Sequence, residues 1–443
     1  MQSKFFEKLS DILMPIAGVL GQNRYLQVLR DAFMLSFPLT IFGSIAVVVM
    51  NLPFLGNIMS ADAISTLRSS LGIAQQATMG IMTVFVVFGI GYYLSKSYDV
   101  EAVFGGAISL VSFLFVTPFV LENPQTNEVV SNVIPLGRLG ASSMFLGMIV
   151  AFSSAEIYRF VVQKNWTLKM PEGVPPAVAR SFSALIPATL TLSVFLIINI
   201  FFTQVLNENL HDLIYDLIQR PLVGLGSGII PTLIAVFLIQ LLWFFGLHGQ
   251  IIINSVMDPI WIALSLENLE SFTATGEVPH IINKQFIEIF TVGMGGTGMT
   301  LAVVFAMLVF MKSKQMKDVA KLGLAPGLFN VNEPIIFGLP VVMNPLIIIP
   351  WVLAPMVVTG VTYFAMATGI VPPPTGVAVP WTVPIVFNGM LATNSWLGGA
   401  LQLVNFSIVF FIWFPFLKLI DSVNVKNEKE AEEAAKAAES NEQ

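Results

Sequence analysis

The sequence predicts an all-α polytopic membrane protein with about ten transmembrane helices and two oppositely oriented re-entrant hairpins. Three observations carry that reading. Only 11% of the 443 residues are charged, while 55% are hydrophobic; soluble domains carry about 25% charged residues. The charges cluster, leaving apolar windows of the roughly 20 residues that a helical span needs. The 33 glycines and 26 prolines are plentiful, as expected where membrane helices pack closely or break.

In chain order, residues 1–20 read as an amphipathic helix in the cytoplasmic interface, with Phe5, Phe6, Leu9, Ile12, Leu13 and Ile16 at helical spacing. Lys4 and Lys8 alternate with Glu7 and Asp11, a pattern unlike a cleavable signal. Spans follow near 32–52, 72–94, 102–121, 140–158, 182–205, 222–246, 249–267, 290–311, 343–370 and 398–417. The window at 249–267 is the weakest, because it holds Asp258 and Pro259. The expected organisation is a cytoplasmic N-terminal segment (1–27), an N-terminal membrane half (28–205), a C-terminal membrane half (206–420) and a polar cytoplasmic tail (421–443).

Orientation follows from the basic residues of short loops. One phase collects Lys4, Lys8, Arg24, Arg30, Lys96, Arg159, Lys164, Lys169, Arg180, Lys312, Lys314, Lys317 and Lys321. The other holds only Arg68, Arg138, Arg220 and Lys284. The richer side is read as the cytoplasm, which places both termini there.

Two segments do not fit as spans. Residues 322–341 are interrupted by Pro326, Gly327, Pro334, Gly338 and Pro340, and residues 372–396 by Pro380, Pro384 and Gly389. Both are too apolar for solvated loops, and non-helical backbone at membrane depth survives only where protein or a watery cavity covers it. Two such breaks point to a binding site between them.

The strongest single signal is Glu333. Between Lys321 and Lys418 it is the one formal charge. An unpaired charge at membrane depth costs at least about 2.5–3.5 kcal/mol, so a ligand, proton or partner must offset it. Glu333 is read as a hydrogen-bond acceptor or general base toward a hydroxyl-rich ligand. His248, in Gly246-Leu247-His248-Gly249-Gln250, offers one donor and one acceptor when neutral, and Gly249 permits close backbone approach. Trp381 could stack on the C–H face of a sugar; Trp243, Trp261 and Trp396 are weaker candidates. Asn332, Asn388 and Asn394 could supply amide hydrogen bonds. Asp258 before Pro259 is read as a helix-break partner.

Other chemistry is excluded. The chain has no cysteine, hence no disulfide, thiolate metal site or cysteine nucleophile. His211, His248 and His280 lack metal-ligand spacing. No phosphate-cradling glycine loop precedes a lysine, and a net charge of −6 gives no basic face for nucleic acid. No cofactor or metal is expected.

At Gly246-Leu247-His248-Gly249, at Asn332-Glu333-Pro334-Ile335-Ile336-Phe337-Gly338-Leu339-Pro340 and at Asn344-Pro345, the chain resembles the membrane-embedded IIC component of the bacterial phosphotransferase system, in its lactose/cellobiose/diacetylchitobiose branch. The resemblance covers about residues 5–420. It implies a homodimer with its interface in the N-terminal half and a sugar site in the C-terminal half, with Glu333 and His248 at the family's acidic and histidine positions. It also implies a cytoplasmic phospho-IIB protein, which donates phosphate from a phosphocysteine to the sugar 6-hydroxyl. The expected function is therefore translocation of a β-linked disaccharide, diacetylchitobiose or cellobiose first, with the phosphate-bearing nucleophile on the separate IIB protein. The alternatives are a proton-coupled sugar transporter with Glu333 as its coupling carboxyl, and a channel or receptor.

Overall fold

The computed structural model describes residues 15, 18–51, 55–122, 129–171, 173–339 and 341–441. The amphipathic helix expected over residues 1–20 falls largely outside them. The described residues form two compact units, one within 19–226 and 255–276, the other within 227–254 and 277–441.

The first unit holds α1 (Arg24–Met50), α2 (Ala61–Thr78), α3 (Met82–Ser97), α4 (Ala102–Phe115), α5 (Met144–Gln163), α6 (Pro176–Ile200), α7 (Leu210–Ile214) and α8 (Arg220–Gly226). A short antiparallel pair, β1 (Val120–Glu122) and β2 (Val129–Ser131), sits between α4 and α5, with Leu121 opposite Val130. Lipid tails are as apolar as leucine, so close packing must hold such helices together. Here glycine permits it. A Cβ on Gly91 of α3 would lie 2.5 Å from the Gly105 carbonyl oxygen of α4, and one on Gly105 would lie 2.7 Å from the Gly91 oxygen. His211 on α7 is buried, its ring nitrogens 2.7 Å from Ser143 Oγ and 3.1 Å from Thr117 Oγ1.

The second unit contains α9 (Ile229–Phe244) and the first turns of α10 (Gly249–Thr275), whose later residues belong to the first unit. It continues with α11 (Leu301–Phe310), α12 (Lys314–Leu328), α13 (Glu333–Gly338), α14 (Ile348–Ala367), α15 (Phe387–Thr393) and α16 (Trp396–Asn441). Its core gathers Val304 and Met307 of α11, Ala354 and Val358 of α14, and Val409 and Leu417 of α16 around Trp351 and Trp413. Those two rings meet edge to face at 6.4 Å, and Trp351 Nε1 donates to the Gln240 carbonyl at 3.0 Å.

Among the described residues seven helical stretches are long and apolar enough to span a bilayer, an eighth is the bent pair Leu210–Gly226 and Ile229–Phe244, and Ala102–Phe115 and Leu301–Phe310 are shorter apolar helices. Each overlaps one of the ten expected windows. Two differences have physical causes. The α10 helix runs unbroken through Pro259, so Asp258 does not mark a helix break. The window at 290–311 is a helix only from Leu301; a π-helical turn (Phe286–Thr291) and irregular backbone precede it, because glycines occupy four of the six positions from Gly293 to Gly298.

Candidate functional site

Glu333, His248, Asn332, Gly249, Trp381, Asn388 and Asn394 all lie in the second unit, at breaks in its helices and at one helix start. The helix start is at His248. Gly246 turns the chain out of α9 with φ +80°. A Cβ on Gly249 would lie 2.1 Å from the Ile239 carbonyl oxygen, so only glycine lets α10 begin this close to α9. His248 then caps α10: its Nδ1 accepts from the Ile251 N–H at 3.3 Å. In a neutral ring that acceptor role places the proton on Nε2. The Trp243 ring covers one face, with centroids 4.4 Å apart. His248 thus presents an Nε2–H donor, and the ring is exposed.

Glu333 opens α13, a six-residue helix with Pro334 in its first turn. Proline is suited to that place, since it brings no N–H that would need a partner. The Glu333 side chain is exposed. Among the described residues no donor is bonded to its carboxylate. Glu333 and His248 thus lie in the same unit, one an exposed acceptor and the other an exposed donor.

The remaining expected residues are placed as follows. Trp381 is 46% exposed, at the irregular turn of the second break. Asn332 is buried and its Nδ2 donates to the Thr297 carbonyl at 2.6 Å. Asn388 is buried and its Nδ2 donates to the Val383 carbonyl at 3.0 Å, with Oδ1 unpartnered among the described residues. Asn394 ends α15 in the left-handed region, φ 49°. Trp396 is exposed, and Trp261 is fully buried in the first unit. Lys284, read from the sequence as a loop residue, instead forms a 2.9 Å pair with Glu288, and both side chains are mostly buried.

Sequence reasoning missed the residues that hold the breaks together. Asn330, at φ 64°, donates from Nδ2 to the carbonyls of Trp381 (2.6 Å) and Val383 (3.0 Å), and its Oδ1 accepts from the Gly295 N–H at 2.8 Å. One side chain thereby joins the Glu333 segment, the Trp381 segment and the glycine segment. Thr297 Oγ1 donates to Gln250 Oε1 at 2.9 Å, tying the glycine segment to the turn after His248. Gln402 accepts the N–H groups of Val386 (2.7 Å) and Gly389 (3.2 Å) and donates to the Ile289 carbonyl (3.1 Å). That network supports Val386 at φ 73°, an outlier for a β-branched residue. The glycine run was a legible signal of broken backbone; the amide partners were not.

Comparison with known proteins gives one answer. The family model of the phosphotransferase system EIIC matches residues 30–355. The chain is 69% identical to the oligo-β-mannoside-specific EIIC component of Bacillus subtilis (strain 168) over 99% of both chains. It is 43% identical to the cellobiose-specific EIIC component of Geobacillus stearothermophilus over 94% of both. Its fold matches the crystal structure of the transporter ChbC, the IIC component of the N,N'-diacetylchitobiose-specific system, with a TM-score of 0.90 and 42% identity over 95% of this chain and 99% of that one. The chain belongs to the EIIC family of the phosphotransferase system, the membrane components of bacterial sugar transport.

Proposed function

We propose that this protein carries a β-linked disaccharide across the plasma membrane and presents its 6-hydroxyl to a phosphorylated cytoplasmic IIB protein. What supports the reading is an exposed carboxylate acceptor at Glu333 and an exposed Nε2–H donor at His248 within one unit. A sugar hydroxyl can donate to the carboxylate while another accepts from the imidazole. The bond to the carboxylate contributes about 1.5–3 kcal/mol, and the one from the neutral imidazole about 0.5–1.5 kcal/mol. Phosphoryl transfer needs mainly alignment of the acceptor oxygen with the donor. Glu333 accepts the hydroxyl proton as that oxygen bonds to phosphorus and the phosphocysteine sulfur departs. His248 holds a second hydroxyl and fixes the ring. Trp381 supplies the flat face, while Gly249, Asn332, Asn388 and Asn394 shape the backbone around the sugar.

The similarity to an oligo-β-mannoside component moves β-mannosides ahead of cellobiose and diacetylchitobiose as substrate. Family membership favours group translocation over proton coupling. Both termini lie in the cytoplasm, and the functional unit is a homodimer formed through the N-terminal half. The test is calorimetric binding of mannobiose, cellobiose and diacetylchitobiose to the purified protein, followed by phosphorylation with phospho-IIB. Failure of all three to bind the folded protein would overturn the proposal.

A further inference from the structure

The break between α11 and α12 is held from a distance by one face of α16. The Lys418 Nζ donates to the Phe310 carbonyl at 2.6 Å. Three residues on, Asp421 Oδ1 accepts from the N–H groups of Lys312 (2.7 Å) and Ser313 (2.8 Å). Two turns further, Glu428 accepts from the N–H groups of Lys314 (3.2 Å) and Gln315 (3.0 Å) and from Ser313 Oγ (2.8 Å). The Ser313 hydroxyl in turn accepts from the Met316 N–H at 3.3 Å. Every main-chain N–H from Lys312 to Met316 thus has a partner, and two carboxylates stand where the helix dipole favours negative charge.

The helix held in this way is the seat of Glu333. A Cβ on Gly323 of α12 would lie 2.3 Å from Ile335 Cδ1 of α13, and one on Gly338 of α13 would lie 2.5 Å from Val319 Cγ1 of α12. The two helices touch at two glycines, so α13 cannot keep its place if α12 shifts. In its middle, directly before Lys418, α16 is anchored by Trp413 and Leu417, buried in the core with Trp351. A continuous chain of contacts therefore runs from the core through α16 and α12 to α13.

We propose that Asp421 and Glu428 are positioning residues for the sugar site, holding α12 so that α13 keeps Glu333 in place. This rests on the proposed function of that site. The experiment compares the wild type with Asp421→Asn, Glu428→Gln and the control Glu430→Gln, whose carboxylate pairs at 3.6 Å with exposed Lys426 on the same helix. Two quantities are read in folded, monodisperse full-length protein: the Kd of the tightest binder among mannobiose, cellobiose and diacetylchitobiose, and hydrogen exchange along the chain. The expected result is a Kd raised about three- to tenfold in Asp421→Asn and Glu428→Gln, with faster exchange confined to 312–339. The control changes neither. A role in stability alone would quicken exchange and leave Kd unmoved; that outcome, or unchanged exchange, overturns the proposal. If one of the two clamp variants fails to fold, the other decides. A wild type that binds none of the three sugars overturns the proposed function and this inference together, whereas binding with an unmoved Kd overturns only the inference.

Discussion

The side-chain amide of Asn330 donates to the main-chain carbonyl of Trp381 at 2.6 Å, although 51 residues separate them. This bond joins the segment that carries Glu333 to the segment that carries Trp381, and the same side chain also takes the Gly295 N–H. Asn330→Ala should leave three main-chain groups without their partner, at about 1–3 kcal/mol each where buried, and force alanine into the left-handed region at about 1–2 kcal/mol more. Asn330→Gly keeps the backbone angle and loses only the bonds. Thermal unfolding should rank wild type above glycine above alanine, and equal stability of the three would show that the amide holds nothing.

Glu333→Gln preserves shape and removes the charge. Sugar affinity should fall by about 1.5–3 kcal/mol, roughly ten- to 150-fold, with the melting temperature held. Calorimetry on both proteins checks it; equal affinity would remove Glu333 from the binding role.

The His248 cap makes a prediction that needs no sugar. Nitrogen-15 spectra of labelled histidine should show His248 with Nε2 protonated and Nδ1 bare in the neutral ring. A His248 signal of the opposite tautomer would contradict the bond from the Ile251 N–H. In His248→Asn a short side chain can still cap α10, so stability should be kept while sugar affinity drops.

The glycine segment should reject a methyl group. Gly296→Ala would place Cβ 2.4 Å from Asn332 Cγ at φ +85°, a clash and a strained backbone together. Its cost should exceed about 2 kcal/mol and remove binding. Gly360 in α14 meets nothing within 4 Å, and alanine there should stabilise by up to about 1 kcal/mol. Melting temperatures of the two variants should move in opposite directions.

Much of this fold was legible because charges are scarce. Windows between them locate the spans, and Glu333 stands out because nothing near it in sequence is charged. The His248 motif was legible for the same reason. Three things were not. Averaged hydropathy made a span of 290–311, although the glycines in its first half prevent a helix. Asn330 looked like any loop asparagine, because its partners lie 35 to 53 residues away. The polar end of α16 looked like a solvated tail without chemistry, yet Glu428 binds main-chain groups more than a hundred residues earlier. Hydropathy registers what a residue avoids; it carries no record of which distant amide a carboxylate finds.

The isolation of Glu333 also bears on what happens after transfer. Once Glu333 has released the proton it accepted, a phosphorylated sugar would hold its new dianion beside a carboxylate, and the chain from Leu322 to Leu417 contributes no lysine or arginine to neutralise it. Like charges in a poorly screened space repel by several kcal/mol. The site would be a poor trap for its own product, so turnover should resist product inhibition and the reverse entry of sugar phosphate should be weak. Glu333, which has no ion-pair partner among the described residues, would then act as a one-way valve.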